Sequence, residues 1–109
     1  MELPDLIARV VEARPDLVEK MPRTMTIEWG GHPATAWTRG ALVFAESDAR
    51  LIVQGVVAEE LAKVGHITHI SATRWDAEWH DKRGKARDVE ATTYLDAAVA
   101  ALCEIARTP

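Results

Sequence analysis

The sequence predicts an α+β domain with a four-stranded, mainly antiparallel sheet and helices packed on it, in the order α-β-β-α-β-β-α. Three observations predict it. Thr73 to His80 alternates strictly, with Thr73, Trp75, Ala77 and Trp79 on one side and Arg74, Asp76, Glu78 and His80 on the other, the period of a strand with one buried face. Ile52, Val53, Val56, Val57, Leu61 and Val64 form a broad stripe at helical spacing. Two turn clusters, Gly30-Gly31-His32-Pro33 and Asp81-Lys82-Arg83-Gly84, each join strand-like runs into a hairpin that precedes a helix.

In chain order, Pro4 to Ala13 reads as an amphipathic helix, because Pro4 suits a first helical position and Leu6, Ile7, Val10 and Val11 share a stripe. Pro15 ends it, and Asp16 to Met21 adds a turn before Pro22. Thr24 to Trp29 alternates as a first strand, and a second runs from Ala34 to Ala45, with Trp37, Arg39, Ala41 and Val43 on one face. Ser47-Asp48 caps the next helix, which runs to Val64 with Glu59, Glu60 and Lys63 on its wet side. Gly65 stands where a left-handed cap belongs, and Gly55 inside the helix permits a close approach to the sheet. A long strand spans His66 to His80, Lys85 to Ala91 returns as a charged edge strand, and Thr93 with Asp96 has capping-box spacing. The final helix then buries Leu95, Ala98, Val99, Leu102, Ile105 and Ala106.

At 109 residues the expectation is one domain, with residues 1–22 a helical segment and 23–109 the sheet-and-helix core. A net charge of −4 argues against a general nucleic-acid binder, since phosphate neutralisation needs a basic surface. The single cysteine, Cys103, leaves no internal disulfide and reads as a small core residue. No leader pattern and no apolar run of about 20 residues is present, so a soluble, cytoplasmic protein is expected.

The chemistry is sparse. His66-x-x-His69 fails as a chelate, because residues three apart on a strand face opposite ways. Asp76, Glu78 and His80 share a face at neighbour spacings of about 7 Å, from twice the strand rise of about 3.3 Å. That face suits an acid–base pair or a weak divalent-metal site, or else an ordinary solvated face neutralised by Arg74 and cross-strand partners. Lys82, Arg83, Lys85 and Arg87 cluster near a turn, flanked by Asp76, Glu78, Asp81, Asp88 and Glu90, which cancel their charge. No Walker loop, dinucleotide glycine pattern or nucleophile elbow occurs. All four tryptophans, Trp29, Trp37, Trp75 and Trp79, fall on strand runs. Core packing explains most of them, and a Trp beside Arg39 or Arg74 has the composition of a binding hot spot.

From Asp48 onward, a helix leads to the strand segment Trp75-Asp76-Ala77, a charged turn, and the Thr-led alanine-rich helix Thr92-Thr93-Tyr94-Leu95-Asp96-Ala97-Ala98-Val99-Ala100-Ala101-Leu102. Over residues 48 to 106 this arrangement resembles small phage and prophage proteins of the phage α-β-α sandwich type. The resemblance implies a phage-type accessory protein, some of whose kind act on host machinery by binding, and it carries over no catalytic residues.

The function read from these features is a non-enzymatic binding module, an inhibitor of a host defence protein acting through protein–protein contact. Its expected site is Trp37, Arg39, Arg74, Trp75, Trp79 and His80, with a protein partner, self-association into a homodimer or higher oligomer, no metal and no cofactor. Two rival classes stand beside it. One is a small-nucleotide binder using Trp stacking and Arg contacts, the other a small metal-dependent enzyme using Asp76, Glu78 and His80.

Overall fold

In the computed structural model, which describes residues 1–107, the chain begins with α1 (Leu3–Ala13) and a 3₁₀ helix (Pro15–Lys20). A first run of strands follows, β1 (Arg23–Trp29), β2 (His32–Arg39) and β3 (Leu42–Phe44), then α2 (Glu46–Ala62). A second run, β4 (Gly65–Ser71), β5 (Arg74–His80) and β6 (Ala86–Ala91), leads into α3 (Tyr94–Arg107). The last two positions of the expected domain, 108 and 109, lie outside the described residues. The class is α+β, as the patterning predicts. The single four-stranded sheet is not: β1-β2-β3 and β4-β5-β6 are two separate three-stranded antiparallel sheets.

Two turns inside the long strand-like runs make the difference. Arg39 pairs with Leu42 across Gly40-Ala41, and the positive φ of Gly40 followed by a negative φ at Ala41 is the sign pattern of a type II′ hairpin. The expected strand of Ala34 to Ala45 is therefore cut in two. Likewise Ser71 pairs with Arg74 across Ala72-Thr73, which cuts the expected strand of His66 to His80. No residue there has a positive φ. A register shift between His69 and Ser71 supplies the local twist instead.

The helices make the body. α1 buries Leu3, Leu6 and Val10, and α2 buries Ala49, Val53, Val57 and Leu61 at strict four-residue spacing. α3 contacts α1, α2 and all three strands of the second sheet. Ala97, Ala98 and Ala101 are wholly buried, and such small side chains let α3 lie close to its neighbours. Thr93 Oγ1 accepts the Asp96 N–H at 3.1 Å, the expected cap. Three local expectations are corrected. Ala45, not Ser47, is the N-cap of α2. Gly65 opens β4 with an ordinary φ and is no left-handed cap. Gly55 faces open space, with nothing within 4 Å of an added Cβ.

Glu60 is also corrected, from the wet side to the buried side of α2. It follows Val53 and Val57 on the same stripe, and there it accepts from Arg14 Nη2 and Lys63 Nζ, both at 2.7 Å. Arg14 also forks onto Asp16 at 2.9 and 2.7 Å, so the carboxylate ties the end of α1 to α2. Lys63 first, then Arg14, hold the Glu60 carboxyl below its ordinary value of 4.5. A lowered folded value means that its stabilisation is full above about pH 4.5 and is lost as pH falls through the lowered value. Glu60→Gln should cost about 2 kcal/mol at pH 7. The urea midpoints of the variant and the parent should converge as pH falls below 4.5. A gap that persists undiminished at pH 3 would assign the effect to packing instead.

The molecule is elongated, 55 × 32 × 17 Å, with a radius of gyration of 15.5 Å against about 13 Å for a compact chain of about this length. The first sheet supplies the length. β1 is exposed along nearly its whole run, and only Ala36 and Trp37 of β2 are buried. Trp37 and Phe44, cross-strand partners on one face, are the residues of this sheet that join the core packing.

Candidate functional site

Two surfaces are candidates, one on each sheet. On the second sheet β5 is central, and its alternation holds from Arg74 onward, although Thr73 lies in the preceding turn and Asp76, expected on the wet face, is buried. Trp75, Ala77 and Trp79 face α3, while Arg74, Asp76, Glu78 and His80 face away. Register then brings flanking residues beside them: His66 and Asp88 flank Glu78, and Thr68 and Glu90 flank Asp76. His66 and His69 fall on opposite faces as expected. His66 Nε2 lies 3.2 Å from Glu78 Oε2, whereas His69 stacks on Trp75 with centroids 4.2 Å apart.

This open face is densely acidic. Arg74 Nη2 neutralises Glu90 Oε1 at 2.7 Å. Asp76 is only 7% exposed, and its Oδ1 has no hydrogen-bond partner, an arrangement that costs about 1–3 kcal/mol in a folded protein. Burial, then Glu78, pushes the Asp76 carboxyl up, and Asp76 in turn pushes up Asp88. Oxygens of Asp76, Asp88 and Glu90 all lie within 4.8 Å of one another. Asp76, Glu78 and His80 do share the face, but the three carboxylates that converge, Asp76, Asp88 and Glu90, do so across the strands, while Glu78 also acts on Asp76 along β5. At one end the face hollows into a space of about 450 Å³ walled in part by His66, Glu78, His80, Arg87 and Asp88. The nearby turn is organised by Asp81, whose Oδ1 accepts the N–H groups of Arg83 and Lys85, each at 2.9 Å. Its Oδ2 holds Arg87 at 3.2 Å, which ties down part of the basic run.

On the first sheet the candidate surface is the face opposite Trp37. Cross-strand pairing puts Met25, Ile27 and Trp29 of β1 beside Ala36 and Ala34 of β2, with Val43 of β3 on the same face. The core packing does not include them. Trp29 is 77% exposed, with Val43 at 59% and Met25 at 41%. Gly30 and Gly31, both at positive φ, make the tight turn that sets Trp29 opposite His32 at the far end of the hairpin.

The structure does not gather the six sequence-predicted residues. Trp37 and Trp79 are buried in the core, and Trp75 is half-buried, edge-on to Tyr94 at 5.4 Å as well as stacked on His69. Arg39 is exposed at the end of β2, on the face of Trp37. Arg74 and His80 share the open face of the second sheet, where Arg74 is tied to Glu90 and His80 borders the hollow. Sequence reasoning missed Trp29 with Met25 and Val43, and it read Asp88 and Glu90 as mere charge cancellation. The signal for the first group was present in the alternation of Met25, Ile27 and Trp29. Comparison with protein-family models, curated proteins and solved structures finds no match for this chain.

Proposed function

We propose that this chain is a non-enzymatic protein-binding module of phage or prophage accessory type, taking its partner on the outer face of the first sheet. The observation that carries the reading is an apolar face on a projecting sheet, outside the core packing: Met25, Trp29 and Val43, exposed to water, beside the half-buried Ile27. Exposed apolar patches of this kind mark interaction surfaces, and an accessible Trp is the residue type that most often anchors them. A host defence protein blocked by occlusion is the partner class this reading favours, and a second copy of the chain is the rival occupant. The small-nucleotide reading has less support, because Trp37 and Trp79 are buried and Trp75 already stacks on His69. No helix among the described residues is long and apolar enough to cross a membrane.

The test pairs the parent with Met25→Ser/Trp29→Ser. Both positions are exposed, so the variant should melt within a few degrees of the parent. Native mass spectrometry first reads self-association as multiples of 12.0 kDa. Capture from host extract, with and without the double substitution, then reads a foreign partner. The expected result is a host protein retained by the parent and weakened at least about 30-fold by the variant, from about 2 kcal/mol or more for a lost anchor. Equal retention by both would remove the outer face from the reading, and a dimer abolished by the variant would assign the face to self-association.

A further inference from the structure

We propose that Asp76, Asp88 and Glu90 form a binding site for one divalent cation of calcium size on the open face of the second sheet. Asp76 and Glu90 are direct cross-strand partners, and Asp88 is the next residue of β6 on that face. One oxygen from each lies within 4.8 Å of the other two. A calcium ion takes oxygens at about 2.3–2.6 Å and so bridges donors up to about 5 Å apart. Magnesium, at about 2.0–2.1 Å, demands a tighter set.

Two further observations point to a cation. Of the four carboxylates here, Glu78 has His66 and Glu90 has Arg74 at ion-pair distance. Among the described residues no cationic group stands that close to Asp76 or Asp88. Independently, Asp76 is more than nine-tenths buried and sits among these oxygens with Oδ1 unpartnered. A buried carboxylate oxygen without a donor is a rarity in folded proteins and calls for a partner that the chain itself does not supply, and a hard cation is a partner that carboxylate oxygens bind. Asp88 and Glu90 are exposed, so water fills the outer half of the coordination shell. Three protein ligands, one sharing its charge with Arg74, set the dissociation constant in the range of about 10⁻⁴–10⁻³ M.

The experiment is thermal melting of the full chain after EDTA treatment and desalting, at fixed ionic strength, with CaCl₂ or MgCl₂ added to about ten times the expected dissociation constant. Calcium should raise the parent's melting temperature by roughly 5–10 °C, and magnesium by less. Asp76→Asn, which removes the buried charge, should melt above the parent without calcium and ignore calcium when it is added. Asp88→Asn and Glu90→Gln change exposed positions and should abolish the calcium shift, so the test stands even if Asp76→Asn fails to fold. Terbium luminescence sensitised by Trp75 and Trp79, on the other face of β5, should appear in the parent and be displaced by calcium. A parent that ignores calcium, or a shift that survives in Asp88→Asn, overturns the site and leaves Asp76 and Asp88 as a proton-sharing pair.

Discussion

Trp37→Ala should loosen the first sheet before it unfolds the rest. Trp37 is 5% exposed, and it lines with Pro4, Ile7, Pro22 and Thr24 the seam between this sheet and the body. Its cross-strand partner Phe44 is the only other residue of the sheet that joins the core packing, and it is just half-buried. Large-to-small replacement of a buried aromatic costs about 3–5 kcal/mol, most of the stability of a marginal domain. The loss should not be uniform. The second sheet keeps its cover of α3, whereas β1 to β3 would retain only Phe44 as an apolar anchor. Hydrogen exchange should therefore accelerate more over 23–44 than over 65–91. Equal acceleration in both segments would mean that the two sheets unfold as one unit and that Trp37 is no hinge between them.

This uneven anchoring explains what the sequence made legible and what it hid. Amphipathic stripes are local, so α1, α2 and α3 could be read from Leu6, Val53 or Leu102 and their periodic neighbours. The strand β5 could be read from its alternation for the same reason. Sheet number could not, because it turned on two short turns. Gly40 was a visible mark that alternation ran straight through, and Ala72-Thr73 carries no turn residue at all. Each missed turn adds a strand, and two three-stranded meanders replace one four-stranded sheet.

The site was hidden by register. Which residues of β6 stand beside Asp76 depends on how the Asp81 turn closes, with two backbone donors on one carboxylate oxygen. A one-residue slip would turn Asp88 and Glu90 to the helix side. The tryptophans misled for a different reason. Their apolar area sends most of them inward, so the exposed Trp29, which the residue type alone does not distinguish from Trp37, marks the surface better than the other three.

Gly65→Ala is expected to cost about 3 kcal/mol or more, through overpacking against backbone. Gly65 opens β4 directly opposite Trp79. A Cβ placed there would run into the backbone oxygen of Glu78 and come within 2.9 Å of Trp79 Cβ. Neither neighbour can yield cheaply. The Glu78 carbonyl belongs to the central strand, paired on both sides, and Trp79 is held in the core. Backbone conformation is not the issue, since φ at Gly65 is one any residue adopts. Gly55→Ala is the matched control, because it adds the same methyl where nothing lies within 4 Å, in a helix where Ala is favoured by about 1 kcal/mol. Chemical denaturation should thus move the two variants in opposite directions. If Gly65→Ala unfolds at the parent's midpoint, β4 can slide on β5, and this contact does not fix the register that assembles the acidic face. A large loss confined to Gly65→Ala means instead that this contact locks the β4–β5 pairing and, through it, the row of His66, Glu78 and Asp88.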